Sequence, residues 1–259
     1  MTKWELGRGS RVPSGMTAKP IRLFHVSDVH FGREDADAIR WFTEAVIAEK
    51  PDAVILTGDL TMRARASEFA AAGEWVKSLP VPVSIEPGNH DLPYYNPLRR
   101  IFRPYHRYHK IERALEREIE LPGVWIVPLK TTARFQWRLN WSWGVVSPGS
   151  LDRALARLAA CPPDHVAIVA CHHPLVEGVA QAGHSRTHGG PEALAALAEA
   201  GAHAVLSGHV HDPFDVPSAA GPRLIGAGTL SERVRSTPPS FNELRVADGK
   251  LDVLLRTMP

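Results

Sequence analysis

Cysteine is scarce in this sequence: Cys161 and Cys171 are the two in 259 residues. Two are too few for a disulfide framework, and Cys171 sits in an apolar, strand-like run, so a reducing cytoplasm is the expected compartment. No run of 18 apolar residues occurs, and none is expected to span a membrane. Residues 1–20 lack the apolar core of a secretory signal. They carry Lys3, Arg8, Arg11, Pro13 and Gly15 and are expected to form a polar, mobile tail, with Met16 a candidate start. Repeats and low-complexity segments are absent. So is an excess of either charge: 30 basic residues face 28 acidic ones, a net of +2, which gives no reason to expect a specific nucleic-acid partner. The positive charge is nevertheless concentrated, with seven Arg or Lys against three Glu between Pro97 and Ile119.

What is present suits one sizeable core. A hydrophobic content of 44% fits a single α/β domain over residues 21–259. Ile21 to Ser27 reads as a strand, Asp35 to Lys50 as an amphipathic helix with Ile39, Phe42, Val46 and Ile47 on one face, and Ala53 to Leu56 as a buried strand. A helix over Ser67 to Leu79 and a strand over Val81 to Glu86 complete a βαβαβ rhythm, which argues for a mostly parallel sheet with functional groups at its carboxyl edge. Tyr94 to Glu120 has helical spacing (Leu98, Ile101, Tyr105, Tyr108, Leu115, Ile119) that Pro104 must interrupt. Val124 to Leu129 reads as a strand, 131–149 (with Trp137, Trp141 and Trp143) as an ordered loop, and Leu151 to Ala160 as a helix. The rhythm returns with the strand Val166 to Cys171, a helix at Pro191 to Ala200 and the strand Ala204 to Leu206. Three strands close the sequence, at Arg223 to Ala227, Asn242 to Val246 and Leu251 to Arg256, the last two joined by a turn at Ala247 to Lys250.

Five of these strands end in residues that carry chemistry. The ends hold Asp28 with His30, Asp59, Asn89 with His90, His172, and His209 with His211. Pairs at i, i+2 project to one side if the backbone stays extended, and the strand ends of a parallel sheet converge. Carboxylates, imidazoles and one amide without thiolate suit hard to borderline cations such as Mn, Fe, Zn or Co. Two Asp, four His and one Asn are too many for one ion unless a ligand bridges two, and Asp59 is the natural bridge. His25, His165 and His203 read as structural. His173 reads as packing or hydrogen bonding beside the ligands, and His184 and His188 lie in a Gly-rich loop that faces either substrate or solvent.

These blocks, Asp28-Val29-His30, Gly58-Asp59, Gly88-Asn89-His90-Asp91, His172 and Gly208-His209-Val210-His211, resemble the calcineurin-like metallophosphoesterase family, in order and over roughly residues 21 to 212. The resemblance implies a four-layer αββα sandwich with two mixed sheets and a binuclear metal site at the strand ends. Asp28, His30, Asp59 and His211 are then expected to hold one metal, and Asp59, Asn89, His172 and His209 the other. His90 is left to contact a phosphate oxygen and protonate the leaving group, with Asp91 orienting it. The implied chemistry is in-line attack on phosphorus by a metal-generated hydroxide.

Met62 and Ala64 stand where protein phosphatases of the superfamily carry an acid and a glycine, so a protein phosphatase is not expected. The form of the blocks looks most like the class III cyclic-nucleotide phosphodiesterase and glycerophosphodiesterase branch, with a small phosphodiester as partner and a homodimer left open. Two alternatives stand beside it. One is a pyrophosphatase acting on a nucleotide-linked lipid precursor such as UDP-diacylglucosamine, which the basic segment 97–119 would serve. The other is a metal-bound scaffold without turnover.

Overall fold

The computed structural model describes residues 19–93, 96–115, 119–133, 142–176 and 186–259. The expectations for residues 1–18, Tyr94, Trp137, Trp141 and His184 lie outside these. In chain order the elements are β1 (Ile21–Val26), α1 (Ala36–Glu49), β2 (Ala53–Leu56), α2 (Ala66–Ser78), β3 (Val83–Ile85), a 3₁₀ turn at Asn89–Asp91, α3 (Pro97–Phe102), α4 (His106–Leu115), β4 (Val124–Pro128), β5 (Gly144–Val145) and α5 (Pro148–Ala159). There follow β6 (Val166–Ala170), β7 (Thr187–His188), α6 (Gly190–Glu199), β8 (Ala204–Ser207), β9 (Phe214–Pro217), β10 (Arg223–Gly226), β11 (Ser240–Ala247) and β12 (Lys250–Thr257).

Local chemistry sets the ends. The Asp35 carboxylate accepts from the N–H groups of Asp37 and Ala38 and starts α1, and Lys50, in the left-handed conformation before Pro51, stops it. The two mixed sheets that the resemblance implies are both present and five-stranded, ordered β12-β11-β1-β2-β3 and β4-β6-β8-β10-β9. β1, β2 and β3 are parallel, as are β4, β6, β8 and β10, and antiparallel strands border each set.

Strand periodicity builds the layers. Phe24, Val26, Val54 and Leu56 pack with Phe42 and Val46 of α1 and Phe69 and Trp75 of α2. The alternating residues Leu23, Ala53 and Ile55 pack instead with Ile126, Ile168 and Leu206 of the other sheet. On that sheet's far side Ala167 and Val169 meet Ala154 and Leu158 of α5 and Leu194 and Leu197 of α6. Three apolar layers between four sets of elements make the αββα sandwich. At the β11–β12 end, the buried Glu243 carboxylate accepts from Arg22 (3.0 Å), Arg245 (2.7 Å) and Arg256 (2.9 Å).

Three departures have physical causes. β9 was not anticipated, because its alternating exposure leaves Phe214 and Val216 as its apolar signal. The loop expected over 131–149 contains β5, which pairs in parallel with β7, and α5 starts at Pro148, where Ser147 caps it. Pro104 does split the basic segment, but the two pieces behave differently. On α4, Tyr108 is buried and Ile111 and Leu115 pack against the α1–α2 layer. On α3 the pattern is inverted: Leu98, Ile101 and Phe102 are 69%, 40% and 75% exposed, while Arg100 is 2% exposed.

Candidate metal centre

Backbone pairing continues past the strand ends and brings the polar loops together. The N–H groups of Asp28, His30 and Phe31 donate to the carbonyls of Gly58, Asp59 and Leu60 at 3.1, 2.9 and 2.8 Å. Gly208 N–H donates to His172 O at 2.9 Å, and His209 N–H to Asp28 Oδ2 at 2.7 Å. The i, i+2 pairs do not reach one side through an extended backbone. Asp28, His30, Asp59, His209 and His211 all have left-handed φ, between 51° and 71°, a conformation that costs a non-glycine residue about 1–2 kcal/mol. Gly88 is needed for space rather than for its φ of −96°: a Cβ there would lie 2.0 Å from Asp59 Oδ1 and 2.2 Å from its backbone nitrogen.

All seven expected ligands meet at this edge. His211 Nε2 and His30 Nε2 lie 3.2 and 3.5 Å from Asp28 Oδ1, and 3.2 Å from each other. Asp59 Oδ2 stands between two groups, 3.8 Å from His30 Nε2 and 3.4 Å from His172 Nε2. Asn89 Oδ1 is 3.1 Å from His172 Nε2, and the His209 ring centroid is 5.2 Å from that of His172. The ligand atoms of Asp28, His30 and His211 fall within 4.8 Å of one another, as do those of Asp28, Asp59 and His172.

Carbonyl acceptors fix which imidazole nitrogen faces inward. His172 Nδ1–H donates to Thr57 O and His211 Nδ1–H to Arg233 O, both at 2.8 Å, which turns each Nε2 toward the carboxylates. His173 lies among the histidines, but Thr131 Oγ1 (2.9 Å) and Ser142 O (3.1 Å) occupy both its nitrogens, so it supports rather than ligates. His25, bonded to Thr57 and Asn242, and His203, accepting from Ala167 N–H, are tied into the sheets. His165 bonds to Asp164, and His188 is an exposed residue of β7.

His90 Nδ1–H donates to Met62 O at 2.8 Å, leaving Nε2 to face the site, and its ring meets that of His30 edge-on. Asp91 does not orient it. The Asp91 carboxylate points the other way and accepts from Gly88 N–H, Leu60 N–H, Thr61 N–H and Thr61 Oγ1. It therefore clamps the β2 loop to the β3 loop, and Met62 does the orienting that sequence reasoning gave to Asp91.

The donor set fits a pair of cations. Asp28 Oδ1 is buried without a well-aligned hydrogen-bond partner, and two facing imidazole nitrogens 3.2 Å apart need a proton or a metal between them. Burial pushes the Asp28 and Asp59 carboxyls up, but the imidazoles of His211 beside Asp28 and His172 beside Asp59 outweigh it and hold both well below the usual carboxylate range. Burial lowers His172, yet Asp59 more than reverses this and brings it up to about 9, so the site draws positive charge to that position. Burial and the neighbouring His172 drive His209 down to about 3, and burial lowers His30.

Two features escaped the sequence reading. Arg233, between β10 and β11, brings Nη1 to 3.3 Å from His90 Nε2. No strand-end pattern marks it, and the signal available was an arginine in the polar run Ser231 to Ser236. The second is a cavity of about 620 Å³ between α2 and α4, with Asp91 in its wall, Arg99, Arg103, Arg107 and Lys110 around it, and Phe69 and Ile111 among its apolar lining.

Among solved structures, the chain is similar to a dimetal phosphatase from Danio rerio (14% identity, TM-score 0.57), covering 93% of this chain and 100% of that one. It is similar as well to the purple acid phosphatase PPD1 from yellow lupin seeds (12%, TM-score 0.62, 93% and 52%) and to GAP50, the anchor in the inner membrane complex of Plasmodium (10%, TM-score 0.61, 93% and 85%). At such identities these likenesses establish the fold alone. No curated protein matches. No helix among the described residues is long and apolar enough to cross a membrane. The family model for calcineurin-like phosphoesterases matches residues 21–213, across both sheets and all seven expected ligands, and the chain belongs to that family, whose members are metal-dependent phosphoester hydrolases.

Proposed function

We propose that the protein is a binuclear phosphodiesterase acting on a small diester, a cyclic nucleotide or glycerophosphodiester among the candidates. Asp28, His30, Asp59 and His211 hold one ion and Asp59, Asn89, His172 and His209 the other, with Mn, Fe, Zn or Co suited to these donors. The observation that carries the reading is Asp59, whose carboxylate stands between His30 and His172 and so joins two ligand groups into one site. When bound, two such ions would supply a water-derived nucleophile at neutral pH and neutralise phosphoryl charge. The remaining work falls to the chain. His90, its Nδ1–H held by Met62 O, keeps Nε2 toward the site to give a proton to the departing ester oxygen. Neutral Met62 and Ala64, in place of an acid and a glycine, favour a diester over a phosphoprotein.

The purified protein is expected to contain two metal ions per chain and to hydrolyse bis(p-nitrophenyl) phosphate, losing activity to chelator and regaining it with Mn. Asp59→Asn is expected to weaken metal binding at both positions, whereas His90→Ala keeps the metal and lowers kcat by roughly 10²–10⁴-fold. Elemental analysis giving one ion per active chain refutes the two-metal reading, and metal loss in His90→Ala refutes the role of His90.

The cavity behind Asp91 favours a second reading, a pyrophosphatase acting on a nucleotide-linked lipid, because a basic rim over apolar residues suits an acylated anion. Comparing kcat/KM for cyclic nucleotides, glycerophosphodiesters and UDP-diacylglucosamine decides between them. Turnover of the lipid nucleotide alone selects the second.

A further inference from the structure

Arg233 belongs to none of the five motifs, and the mechanism above does not use it. Its Nη1 is 3.4 Å from His30 Nε2 and 3.3 Å from His90 Nε2, so it touches a proposed ligand and the proposed proton donor together. The backbone that carries it is fixed to the site. Arg233 N–H donates to Ser231 Oγ (3.3 Å), Arg233 O accepts from His211 Nδ1–H (2.8 Å), and Glu232 N–H donates to Arg33 O (3.1 Å). Farther along the loop, Asp212 Oδ1 accepts from the N–H groups of Ser236 and Thr237. The side chain, by contrast, is exposed. The ion pairs of its neighbourhood join Arg33 to Glu232 and His211 to Asp28, and no carboxylate among the described residues is paired with Arg233.

A guanidinium donates hydrogen bonds and accepts none, and it stays charged at any working pH. Beside a centre loaded with cations it faces like charge across a gap, an arrangement that an anion between them relieves. We infer that Arg233 is a substrate-binding residue that donates to an oxygen of the phosphoryl group on the side where His90 faces the leaving group. The inference rests on the phosphoesterase reading and adds a protein-borne cation to it. The planar fork also explains why arginine rather than lysine stands here, since its several N–H groups can address two oxygens of one anion.

The test uses the metal-loaded protein and inorganic orthophosphate, followed by calorimetric binding and by inhibition of bis(p-nitrophenyl) phosphate hydrolysis. Arg233→Gln is expected to weaken orthophosphate binding roughly 10–100-fold and to raise KM comparably, with metal content and Tm unchanged. Arg233→Lys is expected to recover part of the loss, and Arg235→Gln, which removes the same charge two residues away, to change both constants less than about twofold. Unchanged orthophosphate affinity in Arg233→Gln with metal retained overturns the inference. So does metal loss in that variant, which makes the side chain a support of the centre. If wild-type protein turns over none of the esters yet orthophosphate binding falls as expected, the inference stands and the proposed reaction fails.

Discussion

Gly88→Ala isolates how closely two strand-end loops must approach. The backbone at Gly88 (φ −96°, ψ 174°) accepts alanine without strain, so the effect of the substitution is that of one methyl group. That methyl lands 2.0 Å from Asp59 Oδ1 and 2.2 Å from Asp59 N, whereas real Cβ contacts essentially never fall below 3.0 Å. The loops must therefore part by at least about 1 Å, and because a backbone atom is one of the obstacles, rotation of the Asp59 side chain does not suffice. Asp59 Oδ2 lies 3.4 Å from His172 Nε2and 3.8 Å from His30 Nε2, so such a shift spoils the joint between the two ligand groups. A misplacement of about 1 Å at a reacting centre costs about 10²-fold, and overpacking costs about 1–3 kcal/mol of stability. We expect kcat/KM for bis(p-nitrophenyl) phosphate to fall by about 10²-fold or more, with fewer than two metal ions retained after gel filtration. The control is Gly73→Ala in α2, where the new methyl meets Ile111 Cδ1 at an ordinary 3.6 Å and is expected to leave activity unchanged while stabilising by about 0.5–1 kcal/mol. Wild-type kcat/KM and two tightly held ions in Gly88→Ala refute the argument.

Burial raises Glu243, but Arg22, Arg245 and Arg256 outweigh it and bring it down to about 2, from an ordinary 4.5. Its contribution to stability is therefore full above about pH 4.5 and disappears as pH falls through about 2, and partial solvation of the arginines limits it to about 1–2 kcal/mol. The Tm gap between wild type and Glu243→Gln is expected to narrow as pH falls from about 5 to about 2.5, and a constant gap contradicts it. On α3, Arg100→Gln is expected to lower stability by about 1–3 kcal/mol in denaturant titration, because Arg100 is buried and donates to Ala133 O. Arg99→Gln and Arg103→Gln, on exposed residues beside the cavity, are expected to leave stability within about 0.5 kcal/mol; equal losses at all three sites contradict the inverted placement of α3.

The metal-facing residues were legible because buried apolar runs ending in Asp, Asn and His at five places leave those groups costly without a cation. The layers were less so: the continuous apolar run Val166 to Ala170 marks a strand buried on both faces, but not whether its neighbours form one sheet or two. The left-handed turns at Asp28, His30, Asp59, His209 and His211 fall on residue types that tolerate positive φ, but which Asp or His adopts it is set by pairing between loops distant in sequence. Spacing misled at α3, where Leu98 and Ile101 fit a buried stripe but Pro104 frees the short helix from the register of α4. Adjacency to His90 in sequence does not mean contact for Asp91, because the 3₁₀ turn sends the two side chains apart.

The place of β11 has a consequence for how the protein is made. β1 is made before every other described strand, and one of its two partners, β11, contributes Glu243 across 221 residues from Arg22. Until residues 240–247 are synthesised, β1 can pair on its β2 side alone, and its other edge presents free N–H and C=O groups between apolar faces. Closure over so long a span is slow, and the nascent chain meanwhile resembles an unfinished sheet that another chain could extend. Production at low temperature, or with a holdase present, is thus expected to raise the yield of native protein more than any change to the metal centre does.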